Sequence, residues 1–91
     1  MELNNLRNQI DSIDAELVAL FQKRMALCGD IARYKMEHNL PIFVQNREEA
    51  VLSRVACMTD DVFTSYTQEL YIKIMELSKQ YQQASIGKGV K

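Results

Sequence analysis

Two residues of this chain are charged where a helix face should be apolar. Arg24 falls seven residues after Leu17 and seven before Ile31, so at 100° per residue it points within about 20° of both. Lys35 comes eleven residues later, again about 20° from Arg24 and about 16 Å further along the axis. A lone inward cation snorkels past the edge of a core, but two on one face can converge on a small anion between them. The pattern recurs downstream. Glu48 shares a face with Val44, Val51 and Val55 and is flanked by Arg47, while Ser78 and Gln82 lie one turn apart on the face of Tyr71 and Met75. Taken singly, Ser78 and Gln82 read as ordinary helix surface. Taken together, Arg24, Lys35, Arg47, Glu48, Ser78 and Gln82 offer more positive donors than Glu48 can satisfy, and buried polar groups must be paired. The missing partner is then an anion, and a pocket of this make-up suits a small molecule with about two carboxylates and a hydroxyl. Arg7 lies 17 residues before Arg24, about 25 Å along the same helix and about 100° around it. It cannot reach a ligand held by Arg24 of its own chain; it reads either as a solvent-facing residue or, in an antiparallel dimer, as a donor to the partner's ligand.

Helices must position these residues. The chain has 3 Gly and 1 Pro, and two of the glycines fall in the last five residues, so its body has almost no breakers. Leu6, Ile10, Ile13, Leu17, Leu20, Leu27 and Ile31 follow the steps of one helix face. With Asn4 or Asn5 as cap, the periodicity predicts a single helix of about 33 residues ending near His38. There His38-Asn39-Leu40-Pro41 breaks it, because the residue before proline avoids the helical region and Pro41 lacks an amide donor. Gly29 lowers propensity without ending the helix. A second helix is expected over 44–58 and a third from Asp60 or Asp61 to Ala84, leaving 85–91 as a fraying tail after a 1–84 domain. A 33-residue helix is about 50 Å long, whereas a compact chain of this size is only about 30 to 35 Å across. Its apolar stripe therefore calls for a second chain, as a two-fold dimer of interlocked long helices, or for a kink near Gly29 that folds it back.

Composition excludes other classes. At 91 residues there is room for one core, the 47% apolar and 25% charged content is globular, and no stretch is apolar enough to span a bilayer. A net charge of -1 lacks the positive excess that nucleic acid or an anionic membrane requires. Cys28 and Cys57 with His38 match no zinc or disulfide spacing, so both read as reduced, buried thiols and no metal is expected. Met1-Glu2-Leu3-Asn4-Asn5 has no apolar signal core, which makes the cytoplasm the expected location.

The segments Leu6-Arg7-Asn8-Gln9-Ile10-Asp11-Ser12-Ile13-Asp14, Arg24, Ile31-Ala32-Arg33-Tyr34-Lys35, Pro41-Ile42 and Asn46-Arg47-Glu48-Glu49, in this order and spacing, resemble the all-helical chorismate mutase family across about residues 5 to 83. Ser78 and Gln82 occupy the positions of that family's last two substrate-binding residues. The resemblance implies an all-α chain with one very long, one short and one medium helix, intertwined as a homodimer with two equivalent sites. It implies an isomerase of aromatic amino-acid biosynthesis that converts chorismate to prephenate without a cofactor. Carried over by residue, Arg24 and the partner's Arg7 clamp the two carboxylates, and Arg47 and Ser78 line the site. Lys35 and Gln82 donate to the ether oxygen, and Glu48 accepts from the ring hydroxyl. Several relatives carry Asp where this chain has Val44. The chemistry suits these residue types: a concerted intramolecular shift needs no nucleophile, metal or general base, only a compact conformer and stabilisation of charge growing on the breaking ether oxygen. Two alternatives stay open here. An isochorismate pyruvate lyase uses the same scaffold, although the pair Glu48 and Gln82 fits the mutase better. A non-catalytic helical dimerisation or regulatory module would leave Arg24 and Lys35 as unexplained desolvated charges.

Overall fold

A computed structural model describes residues 2–89. The chain folds as α1 (Leu3–Glu37), α2 (Gln45–Met58), a single 3-10 turn (Asp61–Phe63) and α3 (Thr64–Gly89). The all-α expectation holds, and among the described residues no strand forms. The first helix is continuous through Gly29, so the kinked alternative is discarded. Gly29 is buried where α1 crosses α3, and a Cβ there would stand 3.0 Å from Cε2 of Tyr81. The glycine thus serves close helix packing rather than a bend.

What ends α1 is not the proline. Asn39 has φ 57°, in the left-handed region, which Asn tolerates better than residues other than Gly. With His38 as cap, the amide of Asn39 donates to the carbonyl of Met36 at 3.3 Å and that of Leu40 to the carbonyl of Lys35 at 2.8 Å. This is the paired Schellman closure, and Pro41 follows it as a residue that cannot continue a helix. Within the expected breaker, residues 38–41, the stop belongs to Asn39 rather than to the step into Pro41. Asn39→Val is expected to lower stability by about 1–2 kcal/mol in urea denaturation while Asn39→Gly stays within about 0.5 kcal/mol, because a β-branched side chain is strained at positive φ, where Asn is tolerated and Gly is unstrained.

The far end of α3 also differs from expectation. The helix runs past Ala84 to Gly89, since adding residues to a formed helix carries no nucleation cost; Val90 and Lys91 lie outside the described residues.

The cores are small. Val51 and Val55 of α2 pack on Met75 of α3, with Leu52 and Tyr71 beside them. Helices α2 and α3 run antiparallel, while α1 and α3 run in the same direction, with Arg24 beside Ser78 and Cys28 beside Gln82. α3 therefore lies between the other two. The molecule measures 54 × 28 × 14 Å with a radius of gyration of 16.4 Å, against about 12 Å for a compact chain of this length. Its thinnest dimension barely exceeds one helix diameter, so each helix keeps an uncovered side.

On α1 that side is the apolar one. Every residue from Leu3 to Leu20 is exposed, Ile10, Ile13 and Leu17 each at 55%. The α1 surface covered within the chain is instead Phe21, Met25, Cys28, Gly29 and Ala32, a set rotated about 120° from Leu20, Leu27 and Ile31. Periodicity identified the large-residue stripe and missed this smaller, intrachain face. The cysteines also need correction. Both thiols are free, but Cys28 is half-buried and Cys57 exposed, because two residues beyond Val55 place it about 200° around α2 from the packed face.

Candidate active site

A cavity of about 300 Å³ opens between the C-terminal half of α1, the start of α2 and the last turns of α3. Six of the seven residues predicted for the site line it: Arg24, Lys35, Arg47, Glu48, Ser78 and Gln82. They come from three elements. Arg24 and Lys35 sit on α1 at the seam between the face covered by α3 and the exposed apolar stripe. Arg47 and Glu48 occupy the first turn of α2, whose amides donate to the carbonyl of Val44, and the positive end of the helix favours a carboxylate there. Ser78 and Gln82 come from α3 and are buried, 6% and 7% exposed.

Each polar group is held. The Arg24 guanidinium donates to Ser78 Oγ at 3.0 Å, and Ser78 in turn donates to the carbonyl of Ile74 at 2.8 Å. Arg24 also lies over the Tyr71 ring, 5.7 Å from its centroid, a favourable position for a cation. The Gln82 side-chain nitrogen donates to the carbonyl of Cys28 at 3.1 Å. Since that carbonyl can only accept, the amide orientation is determined, and its second N–H remains available. Lys35 donates to the carbonyl of Ile42 at 3.0 Å and keeps two further protons. Among the described residues, no buried side-chain polar atom lacks a partner.

Here the structure corrects the reasoning from sequence. The hydrogen bonds close within the chain without an anion; what does not close is the charge. The described lining carries five cations, Arg24, Lys35, Arg47, Arg54 and Lys79, against one acid, Glu48. Such an excess in a half-enclosed, partly apolar site favours a ligand with more than one negative charge. Arg54, Lys79 and the Tyr71 platform were not foreseen. Arg54 and Lys79 look like routine helix-surface cations, and only the packing of α2 against α3 turns them toward the cavity.

Arg7 is exposed and does not line the cavity, as its distance along α1 requires. Val44 is on the cavity wall, so the loop supplies an apolar side chain there.

Residues 6–83 match the family described as chorismate mutase type II. The chain belongs to that family. A solved structure of a conserved hypothetical protein from Pyrococcus furiosus superimposes with a TM-score of 0.74 at 38% identity, covering 88% of this chain and 93% of that one. The T-protein of Haemophilus influenzae is 35% identical over 76% of this chain. The 4-amino-4-deoxychorismate mutase of Streptomyces venezuelae is 36% identical over 60% of it. The chain spans 21% of the former's length and 53% of the latter's. Within the chorismate mutase type II family, then, this member holds its cationic cavity between three helices of one chain. Among the described residues no helix is long and apolar enough to cross a membrane, and no cluster of metal-ligating side chains occurs.

Proposed function

We propose that the chain is a chorismate mutase, an isomerase of aromatic amino-acid biosynthesis that rearranges chorismate to prephenate within residues 1–84. The observation that carries this reading is the cavity's five cations to one acid, framed by two neutral donors, in a chain of this family. In the rearrangement the ether C–O bond breaks as a C–C bond forms elsewhere in the same molecule, and no proton is transferred. The protein's task is to select the folded-up conformer and stabilise negative charge on the ether oxygen. Arg24, braced by Ser78 and Tyr71, grips one carboxylate, and Arg47 lines the same wall. Lys35 and Gln82 direct their remaining N–H groups at the ether oxygen, and Glu48 accepts from the ring hydroxyl. No cofactor enters this scheme.

In this reading the second carboxylate is held by Arg7 of a partner subunit in a homodimer. The exposed stripe Leu6, Ile10, Ile13, Leu17, Leu20, Leu27 and Ile31 is more contiguous apolar surface than a lone helix keeps in water. A two-fold partner covering it brings the N-terminal half of its own α1, with Arg7, to the seam where Arg24 and Lys35 stand. The enzyme is read as cytoplasmic, acting on a dissolved dicarboxylate.

Purified protein mixed with chorismate tests the activity. The chorismate absorbance is expected to fall with stoichiometric formation of prephenate, and an unchanged spectrum overturns the reading. Release of pyruvate from isochorismate, with chorismate untouched, would assign the lyase instead. Sedimentation at micromolar concentration is expected to give twice the 10.5 kDa chain mass, with dissociation and unfolding occurring together because neither chain has a complete core. A monomer that retains its helicity would remove the partner from the site.

A further inference from the structure

Lys79 lines the cavity, yet neither the residue pattern nor the proposed chemistry uses it. It follows Ser78 on α3, and its Nζ lies 3.3 Å from Oε2 of Glu48 on α2. The same ammonium sits 4.6 Å from the centroid of the Phe43 ring, in the segment joining α1 to α2. Lys79 is thus clamped between a carboxylate and an aromatic face. The pair is only partly exposed, 36% for the Lys79 side chain and 25% for that of Glu48, so water screens it less than it screens a surface pair. The ion pairs Asp30–Arg33 and Lys73–Glu76, by contrast, each lie within one helix and are more exposed.

We propose that Lys79 is a specificity residue that selects a neutral hydroxyl over a cationic amine at the ring position facing Glu48. This rests on the functional reading above, in which Glu48 receives the ring hydroxyl. Glu48 is the one acid among the described lining residues. Left alone, it would accept a hydrogen bond from either group and would attract an ammonium more strongly than a hydroxyl. Paired with Lys79, its charge is already balanced. An ammonium hydrogen-bonded to Glu48 at about 2.8 Å would come within roughly 6 Å of the Lys79 nitrogen, where like charges repel appreciably in a partly buried site. The cavity also carries Arg24, Lys35, Arg47 and Arg54, all positive, and Val44 provides no second carboxylate to offset them. A hydroxyl carries none of this penalty, and Glu48 retains lone pairs with which to accept from it.

The test compares kcat/KM for chorismate and for its analogue with an amine in place of the ring hydroxyl, across wild type, Lys79→Met and Lys79→Arg. Wild type is expected to prefer the hydroxyl compound by about a hundredfold, the magnitude that a few kcal/mol of charge repulsion provides. Lys79→Met, which keeps the length and apolar stem, is expected to shrink that preference at least tenfold, chiefly by gain on the amine. Lys79→Arg restores the charge and is expected to keep the preference within about threefold of wild type. Because the readout is a ratio of two substrates on one preparation, a loss of folded protein lowers both and cancels. A ratio unmoved in Lys79→Met, with wild type active on chorismate, overturns the role of Lys79 alone. A wild-type protein inert towards chorismate overturns the functional reading and this assignment with it.

Discussion

Arg7→Ala and Arg24→Ala, each nearly inactive as a homodimer, are expected to recover about a quarter of wild-type activity when unfolded and refolded together in equal amounts. The single losses follow from the charge balance of the proposed site: removing one buried partner of a carboxylate costs several kcal/mol, largely because the other charge is left unpaired. The recovery follows from geometry. Arg24 points into the cavity and is fixed by Ser78 at 3.0 Å, whereas Arg7, about 25 Å away along the same straight helix, lies outside the cavity of its own chain. If it serves a partner's cavity, random pairing makes half of the dimers mixed. Each mixed dimer has one site with both arginines and one with neither, hence the quarter. Mass spectrometry establishes that mixed dimers have formed. No recovery from such a mixture would show that Arg7 and Arg24 do not meet across the dimer.

Lys35→Ala and Gln82→Ala are each expected to lower kcat by about a hundredfold to a thousandfold, with a smaller change in KM, the signature of a donor that acts on charge developing in the transition state. Lys35 also holds the carbonyl of Ile42, so its variant requires a check by circular dichroism that α1 and the following segment remain formed. Gln82→Glu separates the donor role from packing. An amide does not titrate and donates at every pH, so the Gln82 contribution in wild type is constant from about pH 5 to 8. A carboxyl at position 82 can donate only while protonated; as pH rises through its titration it becomes acceptor-only and opposes the negative ether oxygen. The Gln82→Glu rate is therefore expected to be greatest at acid pH and to fall towards neutrality. A Gln82→Glu profile with the shape of wild type would mean that position 82 does not donate to the reacting oxygen.

The contrast between Gln82 and Lys79 shows how far one chain of residues can be read without its fold. Gln82 is four residues from Ser78 on the face of Met75, so helical spacing pairs those two, and the surplus of cations elsewhere in the chain together with the family resemblance joins them to the site. Lys79 is next to Ser78 and looks like any solvated helix lysine, because what makes it part of the site is Glu48, 31 residues earlier on a helix whose antiparallel register no local pattern reveals. Asn39 is similar in kind. It falls within the segment expected to break α1, and only its positive φ identifies it, rather than Pro41, as the residue that closes the helix.

Several things were determined by the sequence itself: the three helices, the inward cations of α1, and the impossibility of Arg7 joining them within its chain. These depend on a 100° step and a 1.5 Å rise, which hold wherever a helix forms. Which side of α1 the rest of the chain would cover was decided only by tertiary structure. Phe21, Met25, Cys28, Gly29 and Ala32 are covered within the chain, and the larger stripe of Leu and Ile residues is left outside. Periodicity says which residues share a face but not what lies against it. Small residues such as Gly29 and Ala32, weak in any hydrophobic pattern, win the intrachain contact because they let two helix backbones approach. The cavity results from that choice: it places Arg24 and Lys35 at the seam between the face α3 covers and the face it leaves open.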